Sequence, residues 1–124
     1  MSLRIGINGF GRIGRLALRS LWSQVAAGEV TLVRINDPGG DAATFAHLLE
    51  FDSVHGRWPA TFSAEDHAIT IDGTRIPVTS TKSITDLPLE GVDVVIDCTG
   101  AFKTEAKLAP YFEAGVKKVV VSAP

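Results

Sequence analysis

Three glycines, in Gly9-Phe10-Gly11-Arg12-Ile13-Gly14, follow an apolar run carrying Leu3, Ile5 and Ile7 and precede apolar residues at helical spacing. Strand, tight turn and helix in that order give the spacing a mechanical reading. Gly9 permits the turn, Gly11 lets backbone approach a pyrophosphate, and Gly14 lets the helix pack against the strand. The helix so begun points unpaired N–H groups and the positive end of its dipole at phosphates. Glycine turns also join strands to helices for structural reasons alone, so a second signal has to decide. Val30-Thr31-Leu32-Val33-Arg34-Ile35 reads as a second strand ending in Asn36-Asp37. Its tip carries a carboxylate roughly 20 residues after the glycines, where a dinucleotide fold needs an acceptor for ribose hydroxyls. Of the two nearby cations, Arg12 inside the turn is better placed than Arg15 to meet a phosphate.

The other reactive side chains carry less. Cys98 has a thiol suited in principle to attack an aldehyde. It stands at a strand end between Asp97 and Thr99, with no histidine at a defined local spacing, and burial there would raise its pKa and leave it inert. His47 falls on a helix face and His67 in a polar turn, both packing or surface positions. Together with His55 they are too scattered for a zinc site, so no metal is expected. Asp52 and His55 are expected to fix a loop rather than to exchange protons.

Composition narrows the class. A chain of 124 residues makes one domain, and 45% hydrophobic and 21% charged residues with a formal charge of −2 describe an ordinary globular protein. Basic residues are scattered rather than striped, which argues against nucleic acid as a partner. The single cysteine excludes an intramolecular disulfide and suits a reducing compartment. No apolar segment reaches signal or membrane-spanning length, so no membrane partner and a cytoplasmic location are expected.

These residues need elements to hold them. A first helix is expected from Arg12 to Ala27, with Ile13, Leu16, Ala17, Leu21 and Val25 turned to a sheet. Gly28 stops it. Pro38-Gly39-Gly40 makes a turn and Asp41 caps a helix over Ala42 to Glu50. Residues 51 to 60 read as loop. Between Ala60 and Ser80 the period changes to two, Ala68 to Val78 alternating around Asp72-Gly73, a hairpin-turn signal, and Pro77 places its strand at an edge. Thr81 to Gly91 is loop with one helical turn. Val92 to Asp97 is aliphatic enough for a central parallel strand, whose carboxyl end should lie beside the glycine turn. That makes Thr99 and Gly100 candidate cofactor neighbours. Thr104 to Ala114 forms a crossover helix restricted by Pro110 to its later turns, Gly115 ends it, and Lys118 to Ser122 is the next strand. The fold class is α/β, a Rossmann-type doubly wound, mostly parallel sheet with an antiparallel hairpin insertion.

The segment Ile7-Asn8-Gly9-Phe10-Gly11-Arg12-Ile13-Gly14-Arg15 resembles the N-terminal, NAD-binding half of phosphorylating glyceraldehyde-3-phosphate dehydrogenase. Four further blocks match in order: Ile35-Asn36-Asp37-Pro38, Phe51 to Gly56, Ile96 to Gly100 with Phe102, and Val120 to Pro124. The resemblance implies that Asn8, Gly9, Phe10, Gly11, Arg12 and Ile13 hold the pyrophosphate of NAD. Asn36 and Asp37 would stand at the adenosine ribose, favouring NAD over NADP because a carboxylate repels a 2′-phosphate. Thr99, Gly100, Phe102 and Ser122 would lie towards the nicotinamide. Lys82 stands where many members carry a cofactor-contacting arginine.

The family's Ser-Cys-Thr-Thr-Asn block with its active-site cysteine, and its base histidine, are absent from residues 1 to 124. The chain is therefore expected to be truncated before the catalytic domain, to bind NAD, and to be catalytically inactive alone. In the full-length family, the resemblance implies oxidative phosphorylation of glyceraldehyde 3-phosphate with phosphate to 1,3-bisphosphoglycerate by a homotetramer. Alternatives are a stand-alone NAD-binding or sensing module, and a fragment of erythrose-4-phosphate dehydrogenase. The latter usually carries Asn-Glu where this chain has Asn36-Asp37, and His-Pro where it has Ala123-Pro124. Asp37-Pro38-Gly39-Gly40 also resembles specialised members, including arsenate-linked ones.

Overall fold

The computed structural model describes residues 2–51, 58, 60–101 and 104–122. Among the described residues, seven strands and three helices follow one another as β1 (Leu3–Asn8), α1 (Arg12–Ala26), β2 (Val30–Asn36), α2 (Ala42–Phe51), β3 (Phe62–Glu65), β4 (Ala68–Ile71), β5 (Thr74–Thr79), β6 (Val94–Asp97), α3 (Glu105–Glu113) and β7 (Lys118–Val121), with a 3-10 turn at Ile84–Asp86 before β6. The strands form one sheet in the order β3-β4-β5-β2-β1-β6-β7, parallel from β5 through β7. Chain direction across the sheet reverses between β1 and β6, one connection running to each side. That is the switch point where open α/β sheets leave a crevice.

Each face has its own core. Against one face, Ile5, Ile7, Leu32 and Ile35 of the central strands meet Leu18 of α1 and Phe45 and Leu49 of α2, all buried. Against the other, Val95 meets Tyr111 of α3, Val116 and the segment carrying Ile84, Leu87 and Leu89. Coverage on both sides explains the short aliphatic strands, since each of their faces loses water.

Local signals read from the sequence hold where backbone sterics decide. Asp41 Oδ1 accepts from Thr44 N at 2.8 Å and opens α2. Asp72 and Gly73 take φ of 48° and 86°, the left-handed pair that joins β4 to β5. Thr104 Oγ1 accepts from Lys107 N at 3.2 Å and starts α3, and Gly115 ends it with φ 99°.

Three expectations are corrected. Ile13 is 52% exposed rather than turned to the sheet. The close approach of Gly14 to the turn sets the helix phase, so the stripe against the core runs through Gly14, Leu18, Leu21, Trp22 and Val25. Pro77 does not mark an edge strand. β5 pairs antiparallel with β4 through Pro77 and then parallel with β2 from Val78, so Pro77 faces no partner in β2 and its missing N–H breaks no rung there. The hairpin is thus a continuation of the parallel sheet at its second strand, extended outward by β3, which falls within the period-two stretch from Ala60 to Ser80. Pro110 does not confine α3, which runs Glu105–Glu113 with the proline inside, because the Thr104 cap nucleates the first turn ahead of the ring. The expected Asp52–His55 loop contact lies outside the described residues.

Candidate functional site

The carboxyl ends of β1, β2 and β6 and the start of α1 enclose a cleft of about 370 Å³. Its floor is made by close backbone contact. Gly9 has φ 93°, and a Cβ there would lie 2.7 Å from the backbone of Cys98 and Thr99, so β1 and β6 meet at a point only glycine permits. A Cβ on Gly14 would collide with the Gly9 carbonyl oxygen, so α1 sits as near the turn as backbone allows.

Gly11 is different. Its φ is −73°, open to any residue, yet among the described residues nothing lies within 4 Å of where its Cβ would be. Glycine here leaves space on the cleft side rather than relieving a contact inside the fold. Gly11 is also the N-cap of α1 and supplies no side-chain oxygen to the first-turn N–H groups. Open volume above uncapped amides at a helix start suits a pyrophosphate.

Asp37 lies on the wall, just beyond β2. Its Oδ2 accepts from Phe10 N and its Oδ1 from Gly39 N, both at 2.7 Å, which ties the strand tip to the glycine turn. Each oxygen keeps a further lone pair for a ligand hydroxyl. Phe10 turns its ring inward, 1% exposed and edge-on to Phe45 at 5.5 Å, so the turn is anchored by its side chain and presents only its backbone. Arg12 and Ile13, the first two residues of α1 after Gly11, are exposed and are not part of the cleft wall.

Asn8, Gly9, Gly11, Asp37, Lys82 and Thr99 share the cleft wall. Asn36 lies beneath, 1% exposed, its amide spent on Asn8, Thr79 and Thr81. Gly100 continues from Thr99 with φ 71°. Ser122 follows β7, half-buried, its N donating to Asp97 O at 2.9 Å, and is not part of the cleft wall. Phe102 lies outside the described residues. His47 packs beside Phe51 at 4.9 Å and His67 is exposed, both away from the cleft. Among the described residues, no group of three or more His, Cys, Asp or Glu side chains could hold a metal ion.

Cys98 also reaches the wall. Burial, and then the adjacent Asp97 charge, push its thiol pKa upward, which favours an unreactive protonated group at neutral pH. Three contributors escaped the sequence reading: Thr81 on the wall, and Asp97 and Tyr111 below it, each 0% exposed. A signal existed for the pair. An acidic residue closing the most apolar strand requires a buried donor, and Tyr111 follows Leu108 by three residues on the inward face of its helix. Burial, reinforced by the hydrogen bond to Asp97, raises the Tyr111 phenol pKa and keeps it protonated.

A family model described as glyceraldehyde 3-phosphate dehydrogenase, NAD binding domain, matches residues 3–105. The whole chain aligns with glyceraldehyde-3-phosphate dehydrogenase 3 of a Nostoc species at 50% identity, covering 36% of that protein. It also aligns over its full length with the glyceraldehyde-3-phosphate dehydrogenases of Cereibacter sphaeroides at 46% and Streptomyces coelicolor at 45% identity, covering 37% of each. The chain thus spans little more than a third of the length of these relatives. Among the described residues no helix is long and apolar enough to cross a membrane.

Proposed function

Since the chain belongs to the glyceraldehyde 3-phosphate dehydrogenase family as its NAD-binding domain, we propose that the cleft over Gly11 is where it holds the dinucleotide. The observation that carries this reading is the empty volume at Gly11 above the uncapped start of α1, within a turn whose other two glycines are demanded by backbone contact. Backbone N–H groups of Arg12 and Ile13 receive the pyrophosphate, with the Arg12 guanidinium adding charge from the start of α1. Asp37 accepts from the adenosine ribose. Lys82, on the same wall, donates to the ligand from the β5 side.

With adenosine at β2 and pyrophosphate at α1, the nicotinamide half runs to the β6 side, towards Thr99 and Gly100, with Ser122 beyond. Bound there, NAD supplies an acceptor for the hydride removed from an aldehyde carbon. The chain's own residues bind and orient. Its one thiol, Cys98, is held in its unreactive form, so the domain contributes no nucleophile. In a full-length member the bound cofactor serves oxidation of glyceraldehyde 3-phosphate to 1,3-bisphosphoglycerate in a cytoplasmic homotetramer. Asp37 makes NAD the preferred cofactor, since a carboxylate beside a 2′-phosphate sets like charges together.

Calorimetric titration with NAD and NADP tests the reading. Saturable NAD binding, tighter than NADP, is expected; no binding at millimolar NAD would refute it. NAD preference that persists unchanged in Asp37→Ala would remove the role given to that carboxylate.

A further inference from the structure

A file of hydrogen bonds crosses beneath the cleft, and every link has a forced direction. Thr81 N is a donor, so Asn36 presents Oδ1 to it at 2.9 Å, and to Thr79 Oγ1 at 2.8 Å. Asn36 Nδ2 must then donate to Asn8 Oδ1 at 2.9 Å, and Asn8 Nδ2 to the Tyr111 hydroxyl at 2.6 Å. With its acceptor site taken, that hydroxyl donates to Asp97 Oδ2 at 2.6 Å. Asp97 Oδ1 accepts from Thr99 N at 3.0 Å and from Thr99 Oγ1 at 2.7 Å, while Thr99 Oγ1 itself accepts from Ala101 N at 3.1 Å. Asn8, Asn36, Asp97 and Tyr111 are 5%, 1%, 0% and 0% exposed, so water does not compete for these links.

Asn8, Thr81 and Thr99 of the file line the cleft, and the end at Thr99 matters most, because the file fixes which way its hydroxyl bonds. A threonine hydroxyl has one proton and two lone pairs. The proton is committed to Asp97 and one lone pair to Ala101, which leaves a single acceptor site. Thr99 can receive a ligand N–H or O–H; it cannot donate to a phosphate or carboxylate oxygen.

The geometry points to Tyr111 as a positioning residue that, by seating Asp97, fixes the Thr99 hydroxyl as an acceptor for a donor group on the nicotinamide half of the dinucleotide. Tyr111 touches no ligand; α3 sets the polarity of a group just beyond β6 through it. The donor is the carboxamide or a ribose hydroxyl, which share the same chemistry. This inference rests on the cofactor reading of the cleft and adds to it a residue outside the glycine turn.

Calorimetry with NAD and with AMP, on the protein and its Tyr111→Phe, Thr99→Val and doubly substituted variants, tests it. AMP probes the adenosine half alone. Tyr111→Phe keeps the buried ring and is expected to weaken NAD by about 5- to 20-fold, the worth of one misdirected hydrogen bond, with AMP changed less than about twofold. The double variant should bind NAD no more weakly than Thr99→Val. Deamido-NAD, whose carboxylate lacks the N–H donors, separates the sources: a penalty matching that of Thr99→Val assigns the donor to the carboxamide, and none assigns it to the ribose. Equal losses for NAD and AMP in Tyr111→Phe, or penalties that add in the double variant, overturn the inference. Should Tyr111→Phe not fold, Thr99→Val must lose NAD affinity while sparing AMP, and the Thr99 hydroxyl proton must exchange slowly by NMR in the unaltered protein; failure of either overturns it. Failure of the unaltered protein to bind NAD sinks the cofactor reading instead, whatever the hydroxyl proton shows.

Discussion

Replacing Gly11 by alanine separates folding from binding more cleanly than any other single change here. At φ −73° the backbone accepts a Cβ, and nothing among the described residues stands within 4 Å of it. Two small effects on stability oppose each other. Loss of unfolded-chain freedom favours the variant by about 0.4–1 kcal/mol, and alanine is a poorer N-cap than glycine by about 0.5–1 kcal/mol. The net change stays within about 1 kcal/mol. For 124 residues, at about 2.1 cal/mol/K each, that moves Tm by at most about 4 °C. Binding behaves differently, since the methyl fills the space over the α1 amides and displaces a phosphate oxygen from at least one of them. A hydrogen bond to a charged group is worth about 1.5–3 kcal/mol, so the NAD dissociation constant should rise about 10- to 150-fold. Gly9→Ala is the control of opposite sign. With φ 93° and a Cβ 2.7 Å from the Cys98 and Thr99 backbone, it should lower Tm by more than about 10 °C. Calorimetry for NAD and thermal unfolding by circular dichroism read both effects. A Gly11→Ala protein that folds and binds NAD as tightly as the original would refute the placement of the pyrophosphate.

Asp37→Ala should weaken NAD about tenfold and narrow the gap to NADP, and it should cost about 1–3 kcal/mol of stability by stripping the Phe10 and Gly39 amides of their acceptor. Asp37→Asn, which keeps an acceptor for Phe10, should recover part of the Tm but not the NAD preference. Alkaline titration should unfold the chain through Tyr111. Its phenol pKa is raised above the ordinary 10.0, so the folded chain keeps a proton that the unfolded chain releases. That contribution is intact below pH 10 and fades as pH climbs past it, and Tyr111→Phe should flatten the fall in stability monitored by fluorescence. Cys98 should alkylate more slowly with iodoacetamide than a free thiol at pH 8, because burial and Asp97 raise its pKa. Its rate should climb only towards strongly alkaline pH, and NAD should slow it further if the dinucleotide covers that wall; rapid labelling at neutral pH would contradict the burial argument.

The residue order alone settled whatever depends on neighbours along the chain. Gly9, Gly11 and Gly14 announced a turn between strand and helix. Asp72-Gly73 announced a hairpin, and Asp41 announced a helix start, because φ sterics and capping hydrogen bonds act within about four residues. The position of Asp37 was legible for the same reason, at the end of a run whose apolar pattern fixes a strand. Long-range packing decided the rest. Ile13 looked inward by periodicity, yet the contact of Gly14 with Gly9 turned the helix and left it exposed. Pro77 looked like an edge residue, yet β5 exchanges one partner for another at that point. Asn8, Asn36, Asp97 and Tyr111 stand up to 103 residues apart and carry no local pattern. The parallel register sets Asn36, Asn8 and Asp97 side by side at the ends of β2, β1 and β6, and the stacking of α3 on the sheet adds Tyr111, since a hydrogen bond between distant residues exists only after the apolar surfaces around it have closed.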